Sequence, residues 1–218
     1  MKSKEFLREN LVDIAMELEK QYNLSAFDIH FALKVREDCQ PFLQQCGGDP
    51  FMLYRGVHAS SFTIDKDTRL TDRKPLNMDN LLHQKINIYL DDHYGHPYRN
   101  ALFVSGDMHN ADYGENTYHV FPKGDFDFLW AENPMYDDMY TAWNKYRNST
   151  ELPMPDYVLI QQDDIADKFL KNANFHTTDL PRASDEEQSR EIMIWCEGYY
   201  GIKSDYEYYD ELTEIMLK

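Results

Sequence analysis

Apolar residues near the amino terminus recur at helical spacing. Four apolar positions between residues 4 and 22 follow one another at intervals of four, three and four residues, with charged residues between them, which predicts one helix. A second helix is predicted to begin after Ser25, because an acidic residue stands three positions later as in a capping box, and to end near Glu37. Proline and a double glycine within 39–50 predict a short helix or loop and then a turn. Residues 1–48 therefore form a predicted N-terminal helical region.

The pattern changes after residue 49, where short apolar runs alternate with helical periodicity. Strands are predicted at 50–58, 101–107, 116–122, 155–161 and the stretch 189–202. Helical segments are predicted after an N-terminal cap at Asp79, at a turn through Ala111 and Tyr113, in the stretch that contains Trp130, Tyr140, Trp143 and Tyr146, and at 205–217. Residues 60–75 are predicted as a long loop and 95–100 as a turn. This mixture predicts an α+β fold that forms a single compact domain overall.

The net charge of the 218-residue chain is −17, from 39 acidic and 22 basic side chains. Residues 151–218 have sixteen acidic and six basic side chains, so the acidic excess is largest there. Such a field repels nucleic acid and anionic membrane surfaces, and it attracts basic proteins. Solubility alone is a second explanation of the charge.

The expected compartment is the cytoplasm. Three cysteines without a disulfide-like spacing are typical of a reducing environment. The first ten residues lack the apolar segment of a secretory signal, and no apolar run has the length of a membrane span.

Three predicted strands carry a polar residue at one end. Arg55 follows an apolar strand in LYRG, Ser105 ends the strand of ALFVSGD, and Glu191 begins the strand of SREIMIWCEGYYGI. An arginine binds phosphate or ribose oxygens with its planar fork. A glutamate can accept a hydrogen bond from a ribose hydroxyl and stabilise an oxocarbenium-like centre. Together the three residues suit a ligand that carries phosphate and ribose and develops positive charge during reaction.

The ordered set of LYRG, ALFVSGD and SREIMIWCEGYYGI resembles the Arg–Ser–Glu class of ADP-ribosyltransferases, which includes bacterial toxins and phage enzymes. The resemblance implies a split β-sandwich core over residues 49–218, with NAD as substrate between two small sheets and no metal. It implies catalytic roles for Glu191, Ser105 and Arg55. It also implies that NAD contacts Arg55, Gly56, Ser105 and Tyr113.

In this class the loop before the catalytic strand contacts the acceptor, so the resemblance assigns that role to Glu187, Gln188 and Ser189. Three residues depart from the family pattern. Gly106 and Asp107 follow Ser105 where the family commonly has Ser-Thr-Ser, and Ser189 stands where Glu or Gln often selects the acceptor residue. The implied partner is a host macromolecule, expected to be a protein, and the expected location is the host cytoplasm if the enzyme is viral.

Other interpretations stay open at the level of sequence. Each of the three polar residues taken alone also fits a structural role at a strand end or turn. The histidines near Asp91 and Asp92, together with His109 and His119, raise the question of a metal site, and Cys196 with His119 that of a nucleophilic pair. A catalytically degenerate member of the fold that binds a basic partner is the main alternative function. A phosphotransferase-type reaction on RNA ends is a third, which the acidic charge opposes.

Overall fold

The computed structural model describes residues 14, 16–46, 53–71, 73–75, 78–111, 114–136, 138–149, 155–185, 187 and 190–218. Residues 16–22 are α-helical, as are eight further described segments: α1 (Ala26–Asp38), α2 (Gln40–Gln45), α3 (Asn80–Tyr94), α4 (Met139–Ser149), α5 (Asp156–Gln161), α6 (Ile165–Leu170), α7 (Leu180–Ala183) and α8 (Tyr209–Leu217). Short 3-10 helices span Tyr98–Asn100, Met108–Ala111 and Pro134–Tyr136. The strands are β1 (Tyr54–Val57), β2 (Thr63–Asp67), β3 (Leu102–Ser105), β4 (Asn116–Pro122), β5 (Asp127–Ala131), β6 (Phe175–His176), β7 (Glu191–Trp195) and β8 (Gly198–Lys203). No helix in these ranges is long and apolar enough to cross a bilayer.

The eight strands form one sheet in the order β2-β8-β4-β1-β3-β7-β5-β6, and each neighbouring pair is antiparallel. The predicted α+β class is therefore confirmed. Among the described residues, β1 meets β3 at one register pair, Tyr54 opposite Ser105, whereas β3 and β7 share four. The junction between β1 and β3 is thus a short link in the middle of the sheet.

Two apolar clusters cover the sheet. The first includes Ile29 and Val35 of α1, Leu212 of α8, and Val104 and Ile194 of the central strands. Because α1, α8 and the sheet share this cluster, the described part of the predicted N-terminal helical region packs into the same core as the strands.

The second cluster lies on the other face of β7 and β5. It joins Ile86 of α3, Trp143 of α4 and Phe169 of α6 to Met193 and Leu129. Successive residues of β7 face opposite sides of the sheet, since Ile194 packs in the first cluster and Met193 in the second.

Two helix starts follow the predicted capping rules. The Ser25 side chain accepts from the backbone N–H of Asp28, and the Asp79 carboxylate accepts from Leu81 and Leu82. The predicted strands 101–107 and 116–122 are also confirmed, as β3 and β4.

Three predictions of local structure were wrong. The predicted loop 60–75 contains β2, a largely exposed edge strand whose polar sequence gives no apolar alternation and whose formation depends on pairing with β8. Residues 155–161 contain α5 rather than a strand, because Pro155 precedes it and Leu159 and Ile160 are buried side by side. Trp130 lies in β5 opposite Ile192, not in a helix.

Candidate functional site

The three strand ends selected from the sequence meet at the centre of the sheet. Glu191 is the first residue of β7, and its Cα lies opposite that of Ser105 at the end of β3. Ser105 is in turn opposite Tyr54, the neighbour of Arg55 in β1. Two hydrogen bonds join distant parts of the chain here. Arg55 and Phe103 are 48 positions apart, and Arg99 and Glu191 are 92 positions apart.

Arg55 reaches the serine strand through its side chain. Its Nη1 donates to the carbonyl oxygen of Phe103 at 2.6 Å, two residues before Ser105. In the sheet register Arg55 itself is opposite Tyr118 of β4, and Gly56 is opposite Thr117. The guanidinium therefore spans the short junction between β1 and β3.

Gly114 brings the segment that follows Ser105 against β1. A Cβ atom on Gly114 would lie 2.3 Å from the backbone nitrogen of Val57 and 2.7 Å from the carbonyl carbon of Gly56. A side chain cannot occupy that space, so glycine is required for this approach. Tyr113, which precedes Gly114 and was assigned to NAD, lies outside the described residues.

Ser105 is buried, and its hydroxyl stabilises the turn that follows β3. Its Oγ accepts from the backbone N–H of Asp107 at 3.1 Å, and Asp107 Oδ1 accepts from the N–H of His109 at 2.9 Å. A Cβ on Gly106 would lie 2.1 Å from the backbone oxygen of Ser184. The departure from Ser-Thr-Ser has a steric reason, since the backbone of Ser184, which precedes the predicted acceptor loop, occupies the place of a side chain at position 106.

The Glu191 carboxylate is paired with an arginine that the sequence had not indicated. Arg99 Nη1 donates to Glu191 Oε1 at 3.0 Å, and the side chains of Arg99 and Glu191 are 14% and 26% exposed. Burial raises the pKa of Glu191 above the ordinary carboxyl value, whereas the charge and hydrogen bond of Arg99 oppose that shift. Asp138 raises the pKa further and Arg73 lowers it. The carboxylate is thus surrounded by protein, within electrostatic reach of two guanidinium groups, and still accessible to solvent.

A polar network fixes the turn that carries Arg99. The backbone N–H of Arg99 donates to Asn87 Oδ1 of α3 at 2.9 Å, and Asn87 Nδ2 donates to Asn100 Oδ1 at 3.2 Å. His83 Nε2 lies 3.3 Å from the same oxygen of Asn100. Burial lowers the pKa of His83, and the nearby Arg99 charge lowers it further. The network holds the backbone of Arg99 in place, and the lowered pKa of His83 favours its neutral imidazole.

Arg55, Arg73 and Arg99, which we call the arginine cluster, surround strand β3 just before Ser105. The guanidinium carbons of Arg73 and Arg99 lie 4.0 and 4.6 Å from the centre of the Phe103 ring. Arg73 Nη1 donates to the carbonyl oxygen of Ala101 at 2.7 Å. Burial lowers the pKa of Arg73 to about 10, and Arg55 and Arg99 lower it as well, while Glu191 raises it.

Sequence patterns did not identify Arg73, Arg99 or Phe103 as site residues. Arg73 stood in a predicted loop and Arg99 in a predicted turn, and neither local pattern shows which strand such a side chain will face. The available signal was compositional, since this acidic chain has few arginines and both Arg73 and Arg99 precede the strand that ends at Ser105.

The chain just before Glu191 is anchored by Arg190. This side chain is buried, lies 4.5 Å from the centre of the Trp130 ring, and donates from Nη1 to the carbonyl oxygen of Arg182 at 2.9 Å. Of the predicted acceptor loop, Glu187 is exposed and its N–H donates to Asp185 Oδ1 at 3.1 Å. Gln188 and Ser189 lie outside the described residues.

The histidines singled out earlier have other partners. His96 Nε2 lies 2.9 Å from Asp127 Oδ2 and its ring stacks on Trp195, while His93 stacks on Tyr89. In the part of the chain that is described, no three His, Cys, Asp or Glu side chains form a group that could hold a metal ion.

The proposed pairing of Cys196 with His119 receives no support from their contacts. The buried His119 ring stacks on Tyr209, at 4.0 Å between ring centres, and packs against Tyr54. The Cys196 thiol is buried 3.7 Å from the Thr68 hydroxyl, and burial raises its pKa, which disfavours the thiolate nucleophile.

Comparisons with protein-family models, with curated proteins and with solved structures found no match to this chain. A function must therefore be argued from the site itself. The features that it has to explain are a partly accessible glutamate, a buried serine opposite it and three arginines around one strand.

Proposed function

We propose that this protein is an NAD-dependent mono-ADP-ribosyltransferase that modifies a host macromolecule, as a viral or bacterial effector would. The observation that carries the proposal is that β3 lies between β1 and β7. Glu191 is opposite Ser105, and Arg55 donates a hydrogen bond to the strand that ends at Ser105. Three weak sequence signals, far apart in the chain, become neighbours in space. Their proximity is the geometry that a shared role would require.

The sheet supports the proposed split β-sandwich. The short β1–β3 junction divides it into β2-β8-β4-β1 and β3-β7-β5-β6. Helices α1 and α8 pack on the first half, where Phe31 contacts Tyr200 and Tyr209 contacts His119, in a cluster that also includes Val104 and Ile194 of the second half. Helices α3, α4 and α6 cover the second half through the cluster that contains Met193. A ligand bound at the junction would be within reach of both halves.

The chemistry assigned to the site is nucleophilic substitution at the nicotinamide ribose. The bond between ribose C1′ and nicotinamide breaks, its electron pair leaves with nicotinamide, and positive charge develops on the ribose. An ionised Glu191 stabilises that charge and accepts a hydrogen bond from the ribose 2′-hydroxyl. The acceptor then forms the new bond to C1′ and releases its proton to solvent. Ser105, opposite Glu191 in the sheet, supports the position of the glutamate, and Arg55 binds a phosphate of NAD.

A second candidate function is favoured by the Arg99–Glu191 ion pair. A carboxylate that already forms an ion pair with arginine fits a site that has lost its catalytic function. The strongly acidic chain would then bind a basic protein partner. In that case binding would weaken steeply with added salt, because exposed charges are screened.

The test is the Glu191→Gln variant, with labelled NAD, cell lysate and a separate assay of nicotinamide release. Glu197→Gln is the matched control, because it removes the same charge from an exposed position in the connection that follows β7. We expect Glu191→Gln to lower transfer by about a hundredfold or more, in line with the loss of an electrostatic stabiliser, and the control to be close to wild type.

Wild-type activity in the Glu191→Gln variant would refute the proposed reaction. If the wild-type protein neither releases nicotinamide nor labels any macromolecule, and instead binds a basic protein in a salt-sensitive manner, the second candidate is the correct one.

A further inference from the structure

The arginine cluster concentrates positive charge in an acidic protein. Three guanidinium groups lie around residues 101–103 of a chain whose net charge is −17. Two of them lie on the same Phe103 ring. Like charges at such separations repel, and the repulsion is strongest where burial excludes water. An arrangement of this kind costs free energy unless an anion is bound there.

The described residues neutralise only part of this charge. Glu191 pairs with Arg99, whereas the hydrogen-bond partners of Arg55 and Arg73 are the neutral carbonyl oxygens of Phe103 and Ala101. The Nε atom of Arg99 is buried and has no hydrogen-bond partner in the described part of the chain. A buried donor without a partner is costly, so it points to a missing acceptor.

The arginines are also held in place before any ligand binds. Arg73 and Arg99 lie against the Phe103 ring, Arg55 and Arg73 are tied by Nη1 to backbone oxygens, and the turn of Arg99 is fixed by Asn87. Each guanidinium has five N–H donors, and these contacts use few of them. A preordered set of donors lowers the entropy cost of binding.

We propose that Arg55, Arg73 and Arg99 form a binding site for the diphosphate group of a nucleotide, with Arg73 and Arg99 as its two previously unassigned residues. Planar guanidinium forks match phosphate oxygens in pairs, and two adjacent phosphates supply two negative charges that match the two positive charges Glu191 leaves uncompensated. The identification of that nucleotide as NAD rests on the proposed function. Diphosphate binding by itself does not require the transfer reaction.

Inorganic pyrophosphate is the probe, and its binding to the full-length chain is measured by titration calorimetry. Arg73→Gln is expected to weaken binding by about tenfold or more, as for the loss of a charge-assisted hydrogen bond. Arg69→Gln is the matched control, since it removes the same charge from an exposed residue four positions earlier and should change affinity by less than about twofold.

Glu191→Gln provides a second measurement that does not depend on the folding of the Arg73 variant. Removal of a carboxylate that competes for Arg99 should tighten pyrophosphate binding, although the same variant should lose transfer activity. A merely structural role of the cluster predicts no such gain.

The proposal is overturned if wild-type protein does not bind pyrophosphate at millimolar concentration, or if a folded Arg73→Gln variant binds it as tightly as wild type. Failure of the proposed reaction looks different. In that case Glu191→Gln keeps wild-type activity, or wild-type protein has none, while pyrophosphate binding still depends on Arg73.

Discussion

Replacement of Arg99 should change the pH at which Glu191 becomes ionised. Arg99→Gln removes the charge that lies 3.0 Å from the Glu191 carboxylate and keeps a polar but shorter side chain. Because Arg99 lowers the pKa of Glu191 against the effect of burial, its loss should raise that pKa further. If the reaction requires ionised Glu191, the acidic limb of the activity profile should move to higher pH.

The size of the effect follows from the distance and the exposure. Two unit charges about 4 Å apart attract by about 1 kcal/mol at the dielectric constant of water and by about 4 kcal/mol at an effective value near 20. The Glu191 side chain is 26% exposed, so the lower part of that range applies, about 1 to 2 kcal/mol. Since about 1.4 kcal/mol corresponds to a factor of ten, activity on the acidic limb should fall by about tenfold.

The assay is nicotinamide release at saturating NAD, measured across the acidic and neutral range for wild type, Arg99→Gln and Arg99→Lys. The lysine variant keeps the charge, so its acidic limb should stay close to that of wild type. The Arg99→Gln deficit should shrink at high pH, where Glu191 is ionised in both proteins. An unchanged acidic limb in Arg99→Gln, or one that moves to lower pH, would show that the ion pair does not control Glu191.

Two further predictions concern stability. Gly106→Ala should destabilise the fold by about 1 to 3 kcal/mol in denaturant titrations, because the new Cβ meets the backbone of Ser184 rather than a side chain that can move; an alanine variant as stable as wild type would contradict this close packing. Burial lowers the pKa of His119 to about 4, below its unfolded value of 6.5, so its contribution to stability is present above pH 6.5 and is lost as the pH falls. The loss of unfolding free energy approaches roughly 3 kcal/mol near pH 4. In the His119→Phe variant, which keeps the stacking on Tyr209, the free energy of unfolding should depend less on pH between 6.5 and 4. The same pH dependence in both proteins would exclude His119 as the cause.

Local sequence determined the elements whose own residues contain the signal. The cap at Asp79 and the apolar spacing of α3 predict that helix without reference to the rest of the chain. The alternation in 116–122 predicts β4 for the same reason. Strand β2 and helix α5 were mispredicted because their sequences are short and ambiguous, and their conformations depend on β8 and on burial of Leu159 and Ile160.

The sequence likewise predicted only part of the candidate site. Sequence order and residue type were enough to select Arg55, Ser105 and Glu191 as positions worth comparing. They could not show that Arg99 pairs with Glu191, that Arg73 and Arg99 share the Phe103 ring, or that the backbone of Ser184 lies on Gly106. These contacts join residues far apart in the chain, so they depend on strand order and on the direction of each side chain, which only the packed sheet decides. Sequence by itself determined the chemical groups that are available, and the tertiary structure decided which of them act on one another, because electrostatic and steric interactions operate over a few ångströms in space.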